Sequence, residues 1–354
     1  MFVQVVLQLR IALAGLTALA VSFVSGSQLI RVLKKRQVTE DVTKPDAKKL
    51  GELHAKKKNT PTMGGLMILV GLVVAVLLWA DLTNVYVALG LLLTAWLGMV
   101  GFADDALKLR YKRTGKGPRG LNKKTKLALQ GLIGLAVGLG VWLHVRDSGW
   151  GTRLYIPFLS RSGLEMGWGL IPWVAIVIVA TSNSVNITDG LDGLAAGCTA
   201  ITALALAGIL AAAGNQEWSD RLQIIHVPDG LKLCVFVVAL LAATLAFLWY
   251  NCHPADIFMG DTGSLVLGGL LGYFAVAVKQ EFLLILVGFV FVGDMLSVLL
   301  QVLAFKTTGK RIFRIAPYHH SLEYRGWPET KITVRLWILA AVTAAFGMAA
   351  LGMR

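Results

Sequence analysis

The chain has 354 residues, 56% of them hydrophobic, and carries 34 Lys and Arg against 20 Asp and Glu, for a net charge of +14. A mean hydropathy of +0.68 is far more than a soluble core requires, which excludes an ordinary soluble enzyme and points to an all-α polytopic membrane protein. The positive balance calls for no nucleic-acid partner: 24 of the 34 basic residues fall in three loops of the same parity, 34–62, 103–126 and 306–331, as the positive-inside rule expects of cytoplasmic loops.

A bilayer crossing needs about 20 mainly apolar residues. The predicted spans, in chain order, are Val3–Ile30, Pro61–Ala80, Val85–Ala103, Leu127–Val145, Trp168–Val185, Leu194–Ala213, Leu231–Tyr250, Asp261–Val278, Phe282–Phe305 and Ile332–Met353. Ten spans put both termini on the extracytoplasmic side. The first reads as an uncleaved anchor, because its basic cluster follows the apolar run. The cytoplasmic loops then cover about 31–60, 104–126, 186–193, 251–260 and 306–331 of one integral-membrane domain, 1–354. Cys198, Cys234 and Cys252 lie in or beside apolar spans without metal-ligand spacing, so neither a disulfide framework nor a cysteine zinc site is expected.

The unusual polar clusters fall almost entirely in these loops. Lys56, Lys57 and Lys58 precede PTMGG, where Pro61 is an ordinary helix-start signal. GFADD closes the third span. Adjacent helical positions point about 100° apart, so Asp104 and Asp105 are expected to have separate roles; the plain alternative is a charged helix end with Asp104 and Lys108 paired at i,i+4. Basic residues in PRGLNKKTK, Lys126 among them, read either as surface charge or as a phosphate clamp.

NSVNITDGLDGLA places Asn183, Asn186, Asp189 and Asp192 at three-residue intervals, a polar stripe that is costly beside hydrocarbon. Gly190 and Gly193 leave backbone amides open to a phosphate or a base edge. Capping of the following helix by Thr188 or Asp189 explains one residue of that stripe, not four. NCHPADIFMGDTGS repeats the form, with Asp261 ahead of an apolar helix, and carboxylates gathered on one face beside phosphate chemistry imply Mg²⁺. Phe258 reads either as lipid-facing filler or as a stacking surface.

Asp294 falls midway through the ninth span, where a carboxylate must face protein or water: either a structural partner of Gln301 or part of the site's floor. In APYHHSLE, His319 and His320 are suited to donating to phosphate oxygens or moving protons near neutral pH.

Together, KKKNTPTMGG, GFADD, NSVNITDGLDGLA, FMGDTGS and APYHHSLEYRGWPE resemble, in order and spacing over almost the whole chain, the phospho-MurNAc-pentapeptide transferase family. The resemblance implies transfer of phospho-MurNAc-pentapeptide from UDP-MurNAc-pentapeptide to undecaprenyl phosphate, giving lipid I and UMP. It further implies a Mg²⁺ requirement, a bacterial inner-membrane location with contacts to membrane lipids, and a homodimer. Carried over by motif, Asp261 is the expected Mg²⁺ ligand, and Asp104 and Asp105 the pair that handles the lipid phosphate. Asn186, Asp189, Gly190, Leu191, Asp192 and Phe258 line the uridine and metal region. Lys108, Lys126, Asn251, His319 and His320 surround the diphosphate and sugar. Three positions depart from the family pattern: Ser321 where a third His is common, Asn59 for a Gly, and Asp294 for a Glu. The rival readings are a sister transferase using a simple UDP-N-acetylhexosamine, and an ion-coupled transporter.

Overall fold

The computed structural model describes residues 2–36, 38, 39, 57, 60–148, 151–156 and 163–351. Lys56, Lys58, Asn59 and most of the predicted 31–60 loop lie outside the described residues.

The protein is a helical membrane bundle. Its elements are α1 (Phe2–Lys35), α2 (Gly65–Trp79), α3 (Val85–Thr114), α4 (Lys123–Val145), β1 (Arg153–Leu154), β2 (Leu164–Glu165), α5 (Leu170–Thr188) and α6 (Leu194–Ala213). There follow α7 (Gln216–Arg221), α8 (Gly230–Asn251), α9 (Asp261–Ala277), α10 (Leu283–Val287), α11 (Phe289–Thr308), α12 (Tyr318–Tyr324) and α13 (Glu329–Ala350). Among the described residues, eight helices are long and apolar enough to cross a membrane, and α2 and α9 are shorter apolar helices. Strands β1 and β2 form a small antiparallel ribbon that the sequence reading did not anticipate.

The bundle is built around α9. All 17 of its residues are buried, and α2, α3, α5, α6 and α8 pack around it. Outer faces remain apolar: Leu9, Leu16 and Val24 on α1, Leu299 and Leu303 on α11, and Ile338, Val342 and Phe346 on α13 are exposed. Such continuous apolar surface suits lipid and not water.

The ninth predicted span differs most from expectation. It breaks at Gly288, which ends α10 and begins α11. Elsewhere the helices outrun their apolar runs. At about 1.5 Å per residue, the 30 residues of α3 extend well beyond about 30 Å of hydrocarbon, so its last turns carry Asp104, Asp105 and Lys108 toward one membrane surface. Asn84 starts α3 by accepting from the Tyr86 and Val87 N–H groups, and left-handed Gly115 ends it.

Candidate active site

The last turns of α3, the start of α4, the end of α5 and the start of α9 meet at one point. Asp104, Asp105 and Asp261 are buried there, each offering an oxygen within 4.8 Å of the others. The close approach depends on small residues: a Cβ on Gly101 would lie 2.3 Å from the Asp261 carbonyl oxygen. Gly260 adopts φ +74°, and a Cβ there would lie 2.6 Å from Asp105 Oδ2.

The three carboxylates are not equivalent. Asp105 accepts from the Asp261 N–H (3.1 Å), the Thr262 N–H (2.9 Å) and the Thr262 hydroxyl (2.7 Å), so it caps α9 from another helix. No side chain of its own caps α9. Asp104 accepts from the Leu121 N–H at 2.7 Å and pairs with Lys108 at 2.7 Å. The i,i+4 pair is therefore present, but Lys108 also reaches Asp261 Oδ2 at 3.1 Å. Lys126 contacts the same oxygen, while Asn186 donates to Asp261 Oδ1 at 2.9 Å and to Ser264 Oγ at 2.8 Å.

Two ammonium groups thus converge on one carboxylate within a set of three. These hard oxygen donors fit Mg²⁺ better than a thiophilic metal. Since Asp105 is occupied in capping, Asp261 and Asp104 are the carboxylates left to share a cation, in exchange for the lysine contacts they now make.

Residues 186–192 lead from this cluster to two others. Asn183, by contrast, is tied to Gln130 and the Val179 carbonyl, so the stripe divides between structure and site. Neither Thr188 nor Asp189 caps α6, whose N-cap is Gly193, with no side chain to offer. Asp189 instead terminates α5, and Leu191 turns its side chain into the apolar core.

Gly190 faces the histidines. A Cβ on it would lie 2.5 Å from His319 Nε2 and 3.2 Å from His320 Nε2. The two imidazoles meet edge to face at 4.3 Å between ring centres. His319 Nδ1 lies 2.8 Å from Asp294 Oδ2, and His320 Nδ1 lies 2.7 Å from Glu323 Oε2. The sequence places this pair in the basic loop 306–331; both residues are in fact buried on the short helix α12. Asp294 pairs with His319 and not with Gln301, which instead binds the backbone of Ile312 and Phe313.

Asp192 belongs to the third cluster. It accepts from Lys57 at 2.7 Å and lies 3.0 Å from His253 Nδ1. Glu329 takes Lys57 at 2.5 Å and accepts from the Asp192 N–H at 2.7 Å. The Lys57 ammonium stands 5.9 Å from the Phe258 ring centre. Asn251 is a strut: it accepts from the Gly193 N–H and donates to the Ile257 carbonyl, fixing the two loops to each other. Sequence reasoning missed Lys57, His253, Ser264, Glu323 and Glu329 as members of the site. Their signal was present in KKKNTPTMGG, NCHPAD and GWPE, but it reads as loop charge until the partners are known.

Residues 87–279 match the family Glycosyl transferase family 4, and residues 57–69 match Phospho-N-acetylmuramoyl-pentapeptide-transferase signature 1. The curated phospho-N-acetylmuramoyl-pentapeptide-transferase of Citrifermentans bemidjiense is 46% identical over 349 residues, covering 98% of this chain and 94% of its own. The chain belongs to the phospho-N-acetylmuramoyl-pentapeptide-transferase family. Proteins of that name from Maridesulfovibrio salexigens, 44% identical over 96% of this chain and 92% of theirs, and Koribacter versatilis, 42% over 98% and 94%, show the same full-length likeness. For this transferase family the signature segment coincides with the Lys57 end of the third cluster and with the start of α2. The broader family match spans α3 to α9, which carries the carboxylate cluster and the loop 186–192.

Proposed function

We propose that the chain transfers phospho-MurNAc-pentapeptide from UDP-MurNAc-pentapeptide to undecaprenyl phosphate, releasing UMP and making lipid I for peptidoglycan synthesis. The reaction belongs at the cytoplasmic face of the bacterial inner membrane, where the basic loops lie. The observation that carries this reading is the meeting of Asp104, Asp105, Asp261, Lys108, Lys126 and Asn186 at the ends of four helices.

In the overall reaction a lipid-phosphate oxygen bonds to the sugar-linked phosphorus, whose bond to the oxygen of UMP breaks. Charge develops on that oxygen, and Lys108 and Lys126 are placed to balance it. Asp261 and Asp104 would hold Mg²⁺, which supplies further charge compensation to the phosphates when bound. Asn186 orients Asp261 from the side opposite the lysines. Lys57, Asp192 and the Phe258 ring form the end suited to a nucleoside, with hydrogen-bonding groups beside an aromatic face. A basic segment at a membrane surface also favours an anionic lipid substrate.

A transporter is disfavoured because the acidic cluster sits at helix ends and does not form a path between two faces. The decisive experiment is UMP release in detergent with two donors. Release with UDP-MurNAc-pentapeptide and not with UDP-N-acetylglucosamine supports the reading. The reverse preference transfers the protein to the sister reaction.

A further inference from the structure

Asp294 is an acid within an apolar helix that the reaction above leaves without a task, and its surroundings give it one. It lies on α11, 25 residues before His319, and grips that residue at two points. Asp294 Oδ2 stands 2.8 Å from His319 Nδ1, and Oδ1 accepts from the His319 backbone N–H at 3.3 Å. Glu323 holds His320 at Nδ1 in the same way from within α12. All four side chains are buried.

The consequence follows from imidazole chemistry. A carboxylate on Nδ1 keeps the proton there, so the atom each ring offers to anything else is Nε2. His319 Nε2 is buried and has no hydrogen-bond partner among the described residues. It lies beside the backbone of Gly190, where a Cβ would stand 2.5 Å from it. A buried polar atom left unpaired is costly, and a ligand oxygen arriving at Gly190 would satisfy it.

We propose that Asp294 and Glu323 are positioning residues for the transfer: Asp294 holds the His319 Nε2 toward a phosphate oxygen of the nucleotide donor beside Gly190, and Glu323 fixes the His320 ring that packs against His319 edge to face. This rests on placing the histidines beside the donor diphosphate, as in the reaction above. Asp294 and Glu323 touch no substrate; they act by fixing ring orientation and proton position. The arrangement also explains why α11 carries an acid within an apolar helix, since a hydrophobic residue there would release the α12 ring.

The test is steady-state kinetics of full-length Asp294→Asn, Asp294→Glu, Glu323→Gln, His319→Ala and the double variant His319→Ala/Asp294→Asn, with detergent melting temperatures. Asp294→Asn presents an amide to Nδ1 and should lower kcat about 10- to 100-fold, with KM for the nucleotide donor changed less than about twofold. Asp294→Glu should recover most of the lost kcat, a rescue that general destabilisation would not give. The double variant should be no slower than His319→Ala, because Asp294 acts only through that ring. Where Asp294→Asn does not fold, Glu323→Gln carries the same expectation through His320. Wild-type kcat in Asp294→Asn alongside a slow His319→Ala, or multiplicative losses in the double variant, would overturn the proposal. Wild-type turnover in His319→Ala would instead remove the histidines from the reaction, and with them the placement on which the proposal rests.

Discussion

Asp105 supplies the cap of the helix that begins with Asp261, accepting from the Asp261 N–H at 3.1 Å while its other oxygen takes both donors of Thr262. The neighbouring Asp104 makes no contact of this kind; it faces Lys108 and the Leu121 N–H. Two consecutive acids therefore divide into one that builds the site and one that faces its contents.

That division predicts different costs. Loss of a cap typically removes about 1 kcal/mol, and displacing Asp261 adds a catalytic penalty. Asp105→Asn should lower both the detergent melting temperature and kcat, whereas Asp104→Asn should lower kcat with a smaller change in melting temperature. Thermal unfolding and UMP release on the same preparations decide the matter. Equal melting shifts in the two variants would refute separate roles.

Lys57 satisfies two acids at once, Asp192 and Glu329, and both are largely buried. Removing the shared cation leaves the two acids, among the described residues, with only the His253 imidazole beside them, a loss of about 3 to 5 kcal/mol for a buried pair. Lys57→Met should destabilise the protein and raise KM for the nucleotide donor. Adding Glu329→Gln should recover stability but not KM, since the lost ammonium is not replaced. If the second substitution fails to recover stability, the shared-cation account is wrong.

Much of the fold is legible in the sequence because lipid imposes a simple requirement: a long apolar run must be helical. Leu194–Ala213 coincides with its predicted span for that reason. Hydropathy measures hydrocarbon and not helix, however, so it stops short on α3, where the charged last turns remain helical, and it runs through the break at Gly288. The site motifs are legible as polar residues where polar residues are expensive. Partner choice is not: nothing near Asp294 in sequence names His319, and Lys57 meets Asp192 and Glu329 only because α6 and α13 pack together and bring those two acids side by side. Asp189 and Asp192 look alike in the stripe, yet one ends a helix and the other anchors an ion-pair cluster.

Asp261 accepts from Asn186 and contacts both Lys108 and Lys126. If its carboxylate also holds Mg²⁺, chelation with EDTA should stop UMP release and added Mg²⁺ should restore it. Asp261→Asn should reduce turnover at least about 100-fold at any Mg²⁺ concentration while retaining the native melting profile within a few degrees. Turnover of that variant at saturating Mg²⁺ would dismiss Asp261 as a ligand.

Gly190 has room for no side chain, because a Cβ would press on His319 Nε2. Gly190→Ala should therefore displace the imidazoles and lower kcat about tenfold or more, as small misplacements of reacting groups do. Gly293→Ala is the control, since a Cβ there meets nothing within 4 Å. Comparable losses in both variants would show that the effect does not come from the histidine contact.

The link between α9 and α10 lies outside the helices and carries Lys279 and Glu281, both buried. Burial pushes the Glu281 carboxyl up to about 7, only partly opposed by the Lys279 ammonium. Burial likewise lowers the Lys279 ammonium below its usual range. For Glu281 the folded state holds its proton more tightly than the unfolded state, whose ordinary value is 4.5. Between those values the folded protein binds more protons, so stability from this group is full below pH 4.5 and falls as pH rises through about 7. Glu281→Gln removes that penalty and should raise the melting temperature relative to the parent at pH 8, with the advantage vanishing toward pH 4.5. Lys279 has the opposite slope at higher pH, so the comparison is made between variants at each pH and not along one curve. A Glu281→Gln advantage that is constant with pH, or absent at pH 8, would rule out titration of this carboxyl as its source.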